Sequence, residues 1–272
     1  MPIVTVGPIQ LYYEVRGSGP TVLFIMGATG DAGHFATVAD QLADEFTVVT
    51  YDRRGNSRSS RPPGWGTTTV EEQADDAATL LRALELAPAV VFGSSSGAIC
   101  ALSLLIRHPE LVRGAILHEP PMLSVLERSD DVQAAVAQLV EAGMAAGGPP
   151  AALERFWRFV AGDANWEGLD PGLRERMLGN AQTFLGVERT LESYRPDEAM
   201  LAAIAMPVQV LLSEQSHWFI AEVDEWLASR LGVEVSLTPG THTPYHDHPH
   251  ELAQTIRSFL TRADMSSAPA AK

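Results

Sequence analysis

One pentapeptide constrains this chain more than any other feature. Gly93-Ser94-Ser95-Ser96-Gly97 stands between a short apolar run, Ala89 to Phe92, and a helical pattern, Ala98 to Arg107, that stops before Pro109. Gly-x-Ser-x-Gly between a strand and a helix makes a turn so sharp that its central residue takes a strained backbone conformation. The positions two before and two after that residue crowd together, which is why both are glycine. Of the three consecutive serines, only Ser95 is flanked by glycine on both sides at this spacing. A strand that feeds straight into a helix belongs to a sheet with helices packed on its faces.

The rest of the chain keeps that rhythm. Ile9 to Glu14 and Thr21 to Met26 read as strands, His34 to Asp44 as a helix, and Phe46 to Tyr51 as a buried strand. Asp52 to Gly66 reads as a loop, within which Tyr51 to Arg58 looks structural. Val70 to Leu86 has helical spacing, and Val112 to Leu117 is another apolar strand. Alternation then breaks between Pro120 and Ala205. This stretch reads as helical, punctuated by Gly147-Gly148-Pro149-Pro150 and rich in aromatics. Beyond it come a strand (Val208 to Leu212), a helix (Ala221 to Leu231), a strand (Val233 to Leu237) and a closing helix (Glu251 to Thr261). The pattern predicts an α/β fold with a mostly parallel central sheet. Residues 1–119 and 206–263 form the core, 120–205 an inserted helical cap, and 264–272 a disordered tail.

Composition removes several chemistries. With 19 Lys+Arg against 34 Asp+Glu the formal charge is −15, the wrong sign for a nucleic-acid partner. Lys272 is the only lysine, so Schiff-base chemistry and a P-loop have no residue to work with. The single cysteine, Cys100, excludes an intramolecular disulfide and a cysteine-rich zinc site. The start Met1-Pro2-Ile3-Val4 does not read as a signal peptide, and no stretch approaches the ~18 apolar residues of a membrane span. A cytoplasmic protein with no membrane partner is the expectation, and a homo-oligomer is left open.

Ser95 needs a base and an acid. Gly240-Thr241-His242-Thr243-Pro244-Tyr245 follows the last strand, and His242 lies nearest the strand end. Four histidines crowd this region (His242, His246, His248, His250), which raises a metal site. No separate set of carboxylate or thiolate ligands accompanies them, so neither a metal nor an organic cofactor is called for. Two carboxylates compete for the acid position. Glu119 directly follows the Val112–Leu117 strand, and Glu214 follows the Val208–Leu212 strand in Ser213-Glu214-Gln215-Ser216. Glu119 is preferred, because a charge at the end of an apolar strand is a natural site residue. Backbone donors for an oxyanion would be Ser96, after the nucleophile, and Ala28, in the Met26-Gly27-Ala28 turn.

With these motifs in place, the whole chain resembles an α/β-hydrolase with a cap. Three segments more specifically resemble the fungal zearalenone lactonases: Gly93 to Ala98, Leu117-His118-Glu119-Pro120-Pro121, and Gly240 to Tyr245. Those enzymes take their acid from the strand before the cap, so the resemblance implies a Ser95–His242–Glu119 triad. Where they present a substrate-contacting tryptophan, this chain offers Phe184. Trp157 of the cap, with Trp218 and Phe219 after the next strand, would complete an apolar pocket above Ser95. The expected function is hydrolysis of a carboxylic ester or lactone with a bulky apolar group. Carbon–carbon bond hydrolysis by the same triad, or a non-catalytic small-molecule receptor on this fold, are the alternatives.

Overall fold

The computed structural model describes residues 2–61, 64 and 66–267. The core begins with β1 (Ile3–Val6), β2 (Ile9–Arg16), β3 (Thr21–Ile25), α1 (Ala36–Leu42), β4 (Thr47–Tyr51) and α2 (Val70–Ala83). It continues through β5 (Ala89–Ser94), α3 (Ser96–Arg107) and β6 (Val112–His118). A helical insertion follows: α4 (Ser129–Ala161), α5 (Asp163–Gly168), α6 (Pro171–Gly179), α7 (Ala181–Gly186) and α8 (Glu198–Ala202). The chain returns to the sheet with β7 (Val208–Ser213), α9 (Trp218–Leu231), β8 (Val235–Thr238), α10 (Pro244–Asp247) and α11 (Pro249–Ser267).

The strand order is β1-β2-β4-β3-β5-β6-β7-β8. From β4 to β8 every neighbouring pair is parallel, and β1 and β2 add an antiparallel edge. β3, β4 and β5 bury every residue, as strands covered on both faces must. Their side chains alternate between two cores. Leu23, Ile25, Val49 and Val91 face a core shared with α2, α3 and α9. Val22, Phe24, Val48 and Phe92 face the opposite core, closed by α1 and α11. A third cluster, including Leu153, Trp157, Trp166, Met177 and Phe184, lies within the helical insertion.

Several boundaries differ from the sequence expectation, each for a local reason. α11 continues to Ser267 and takes up residues 264–267 of the stretch expected as a disordered tail; 268–272 lie outside the described residues. Nothing between Arg262 and Ser267 is a glycine or proline, so no breaker ends the helix at Thr261. β1 is an additional strand, paired with β2 through the turn at Gly7 (φ +53°). α4 is two helical arms: Gly148 (φ +71°) breaks it after Gly147, and Pro149-Pro150 opens the second arm, where proline lacks no needed donor.

Candidate active site

The functional candidates gather where the parallel strands end. Ser95 has φ 56° and ψ −130° and caps α3; its N–H donates to the His118 carbonyl at 2.8 Å. The glycines around it are there for lack of space. A Cβ on Gly97 would lie 2.2 Å from the Ile25 carbonyl oxygen, and one on Gly93 would lie 2.6 Å from that of Gly97. Gly27 closes on the elbow from the other side, where a Cβ would stand 2.8 Å from that of Ser95. The turn after β3 thus abuts the serine, and Ala28 and Ser96 border the same cavity.

Glu119 and His242 meet behind Ser95. The Nδ1 of His242 bonds Glu119 Oε2, while Glu119 Oε1 accepts the Ser213 N–H at 2.8 Å. Glu119 also sits at positive φ (50°) and is fully buried, so a strained backbone aims its carboxylate. Burial alone would raise this carboxyl. The His118 and His242 rings, the hydrogen bond from His242 and the Ser213 N–H outweigh it and hold the group well below the usual carboxylate range. His118 lies 3.0 Å from both the Ser94 and Ser213 hydroxyls, and burial pushes its ring down to about 4, so it is neutral at pH 7. Glu214, the competing acid, is exposed. The last residue of β7 therefore serves Glu119 through its backbone amide, while Glu214, in the turn beyond it, sits at an exposed position away from the buried pair.

Ser95 and His242 line one cavity together with Phe184, Trp157 and Phe219, three of the four expected pocket residues. Trp218 is the correction. It is 47% exposed, with the Arg128 guanidinium over its ring at 5.2 Å. Trp218 and Phe219 open α9 side by side, and successive helical residues point about 100° apart. Only one of the pair can turn inward, and it is Phe219. The remaining wall is mostly apolar, with Pro121, Leu123, Val136, Phe156 and Phe159.

Residues without an obvious sequence signal hold this arrangement together. Fully buried Arg53 donates from Nε to the Met26 carbonyl at 2.8 Å and from Nη2 to Ser96 Oγ at 3.3 Å. The same guanidinium pairs with Glu188 of the insertion. Asn165 on α5 donates to Thr241 Oγ1 at 2.8 Å and to Asp247 Oδ2 at 2.9 Å, tying the insertion to the loop that carries His242. Asn180 donates to the Thr29 carbonyl at 2.8 Å. The loop after β4 looked structural, and Asp52 and Arg54 fit that reading through bonds to Arg58 and Asp76. Arg53 does more, since it reaches the turn beside the serine.

The four late histidines take separate partners. His242 meets Glu119, His246 lies 2.8 Å from His34 Nδ1, His248 bonds Asp247, and His250 bonds Gln41. Among the described residues no group of three or more His, Cys, Asp or Glu is arranged to hold a metal ion. No helix among them is long and apolar enough to cross a membrane.

Comparison with known proteins bears on the family and the fold. A family model described as alpha/beta hydrolase fold matches residues 20–244. The uncharacterized hydrolase YraK of Bacillus subtilis (strain 168) is 35% identical over 259 residues, 93% of each chain. A zearalenone hydrolase of Bionectria ochroleuca is 28% identical over 268 residues, covering 93% of this chain and 95% of its own. Among solved structures, a thermophilic esterase from Thermogutta terrifontis matches with a TM-score of 0.77 at 24% identity, over 95% of this chain and 96% of its own. With a family match across most of its length and the corresponding sheet, the chain belongs to the α/β-hydrolase fold family.

Proposed function

We propose that the protein is a serine hydrolase that cleaves a carboxylic ester or lactone carrying a bulky apolar group. The observation that carries this reading is the His242–Glu119 contact at the back of a cavity that also presents Ser95. The Ser95 hydroxyl attacks the substrate carbonyl and its proton passes to His242 Nε2. Glu119 holds His242 Nδ1–H, fixing the tautomer and stabilising the imidazolium that forms. The N–H groups of Ala28 and Ser96 take the negative charge that develops on the carbonyl oxygen. His242 returns the proton to the leaving alkoxide, giving an acyl-enzyme. Water, deprotonated by His242, then attacks the acyl carbon and restores Ser95.

Residues 120–205 act as the cap of this site. They supply Phe156, Trp157 and Phe184, and the similarity to zearalenone hydrolases supports a lactone as one substrate class. Phe184 offers less stacking surface than a tryptophan, so acyclic apolar esters compete. The test is a side-by-side kcat/KM for zearalenone and a medium-chain p-nitrophenyl ester, with Ser95→Ala as control and a fluorophosphonate to label the nucleophile. Turnover that is lost in Ser95→Ala, with label on Ser95, is expected. Label on Ser94 or Ser96, or full activity without Ser95, overturns the assignment. No zearalenone opening at high enzyme concentration reduces the reading to a general esterase.

A further inference from the structure

Arg53, Asn56 and Glu188 form a buried cluster beside the elbow, and its bonds leave one carboxylate oxygen unused. Glu188 Oε1 takes two partners, Arg53 Nη2 at 3.0 Å and the Asn56 amide at 2.8 Å. Its other oxygen, Oε2, is buried and has no hydrogen-bond partner among the described residues. Arg53 Nη1 and Asn56 Oδ1 also lack partners, but neither residue borders the cavity above Ser95. Glu188 does border it. With Oε1 turned to two residues behind the wall, Oε2 is the oxygen left for the cavity side. Elsewhere on the wall, His217 Nε2 lies 2.8 Å from the Phe159 carbonyl, and Thr243 Oγ1 accepts from Asn165 at 3.2 Å. Glu192 is half-buried and also borders an outer groove.

A buried acceptor without a hydrogen bond is costly, and in a pocket wall a donor on the ligand completes it. In mostly apolar pockets, a few such polar groups fix the ligand's orientation. We infer that Glu188 is a specificity-determining residue whose Oε2 accepts a hydrogen bond from a substrate hydroxyl close to the scissile carbonyl. This rests on the ester or lactone reading above, and it adds the polar group that the substrate carries. The place of the hydroxyl follows from Arg53. Its Nη2 lies 3.0 Å from Glu188 Oε1 and 3.3 Å from Ser96 Oγ, so the carboxylate stands beside the residue that supplies one proposed oxyanion donor. The leaving oxygen must face His242 to be protonated, which leaves the acyl side for the Ser96 corner. A hydroxyl on the β-carbon of the acyl chain suits that corner, and one at the far end of the chain does not. The chemical class follows from charge. Arg53 already balances the carboxylate, so an ammonium group would bring a net charge into an apolar space, whereas a hydroxyl donates without one.

The test compares a plain medium-chain p-nitrophenyl ester with its β-hydroxy, β-methoxy and ω-hydroxy analogues, in wild type and in Glu188→Gln. Each kcat/KM is corrected for the ester's spontaneous hydrolysis and divided by that of the plain ester in the same protein, so a general loss of activity in the variant cancels. The wild-type enzyme is expected to prefer the β-hydroxy ester by about tenfold, the scale of one hydrogen bond to a charged group. It should disfavour the β-methoxy ester, which cannot donate. In Glu188→Gln the amide oxygen takes the place of Oε1 and the NH2 group faces the cavity, so the β-methoxy ester should recover. A purely structural Glu188 would lower all four rates together and leave their ratios unchanged, which overturns the inference. So does a wild-type enzyme with no β-hydroxy preference, or with a larger gain for the ω-hydroxy ester, and this ranking decides even if the variant does not fold. The matched β-hydroxy and plain ketones, which cannot be cleaved, are titrated into wild type by calorimetry. Tighter binding of the hydroxy ketone supports the contact even if no ester is turned over, an outcome that would count against the ester reading alone. Equal binding of both ketones overturns it, as does a crystal structure in which an ordered water stays on Oε2 beside the bound hydroxy ketone.

Discussion

Arg53 and Glu188 pair at 3.0 Å with neither side chain reaching solvent, joining the loop after β4 to the helical insertion. The same guanidinium holds the Met26 carbonyl, so the turn that carries Ala28 is braced by a charge whose counter-charge lies in another part of the chain. Breaking such a buried pair by removing one partner leaves an uncompensated charge, at a cost of about 3–5 kcal/mol. Glu188→Gln is therefore expected to lower the unfolding free energy obtained from urea titration by an amount of that order, and with it the urea midpoint. It should also lower kcat more than it raises KM, because the turn that carries Ala28, the proposed oxyanion donor, loses its brace. An unchanged midpoint in urea would show that Arg53 finds another partner.

Glu119→Gln should reduce kcat by about 10⁴, the scale seen when an orienting carboxylate beneath a catalytic histidine becomes an amide. Glu214→Gln, at an exposed position one turn away, should leave kcat within a few-fold of wild type. Steady-state kinetics on one p-nitrophenyl ester compares the two. The reverse ranking would move the acid to the turn after β7.

Buried neutral histidines should make acidification destabilising above the range where most carboxylates titrate, offset in part by Glu192, whose carboxyl burial raises to about 7. Burial pushes His34 and His118 down to about 4, while an unfolded chain titrates near 6.5. Between these values the unfolded state binds more protons than the folded one, so stability falls as pH falls through that window. Each ring withdraws at most about 1.4 kcal/mol per pH unit there. The depressed carboxyl of Glu119 works at lower pH: its stabilisation is present above the unfolded value of roughly 4.3 and is lost as pH drops further. Urea midpoints measured from pH 7 to pH 5 should decline steadily. A flat profile over that range would mean that these rings are protonated in the folded protein.

The glycines separate into two groups under substitution by alanine. Gly97→Ala places a Cβ 2.2 Å from a backbone carbonyl that cannot move without distorting β3, and should abolish soluble folded protein or cost several kcal/mol. Gly179, at the end of α6, has nothing within 4 Å of its Cβ position and an ordinary φ. Gly179→Ala should be neutral or stabilising by up to about 1 kcal/mol. Thermal melts by circular dichroism distinguish the two. A Gly97→Ala protein that melts like wild type would show that the elbow has slack.

The parallel sheet, the elbow at Ser95 and the strand-end positions of Glu119 and His242 are legible in the sequence because each follows from local rules. Apolar runs of fixed length make strands, a two-glycine spacing makes the turn, and residues just past a parallel strand share one edge of the sheet. Trp218 was not placed correctly, because clustering of aromatics says nothing about which of two adjacent helical residues turns inward. Glu188 and Glu192 lie in the stretch from 120 to 205, where no periodicity connects a side chain to the sheet. The partners of Glu188, Arg53 and Asn56, lie 135 and 132 positions away in sequence, and only the assembled fold shows that this carboxyl is paired. The end of α11 was misplaced because Thr261 closes the apolar pattern without stopping the helix.

Ser95 hangs from β5, Glu119 from β6 and His242 from the loop after β8, and the acid–base contact spans 123 positions of sequence. A contiguous fragment must run at least from Ser95 to His242 to carry all three residues, and β3 and β4, which pair beside β5, lie outside it. Turnover is thus a report on completed assembly: during refolding, helix signal should recover first, and hydrolysis should return only when the last strand has joined the sheet. The same property makes enzyme assay a stringent measure of foldedness for any variant of this chain, more so than far-UV circular dichroism, which registers helices wherever they form.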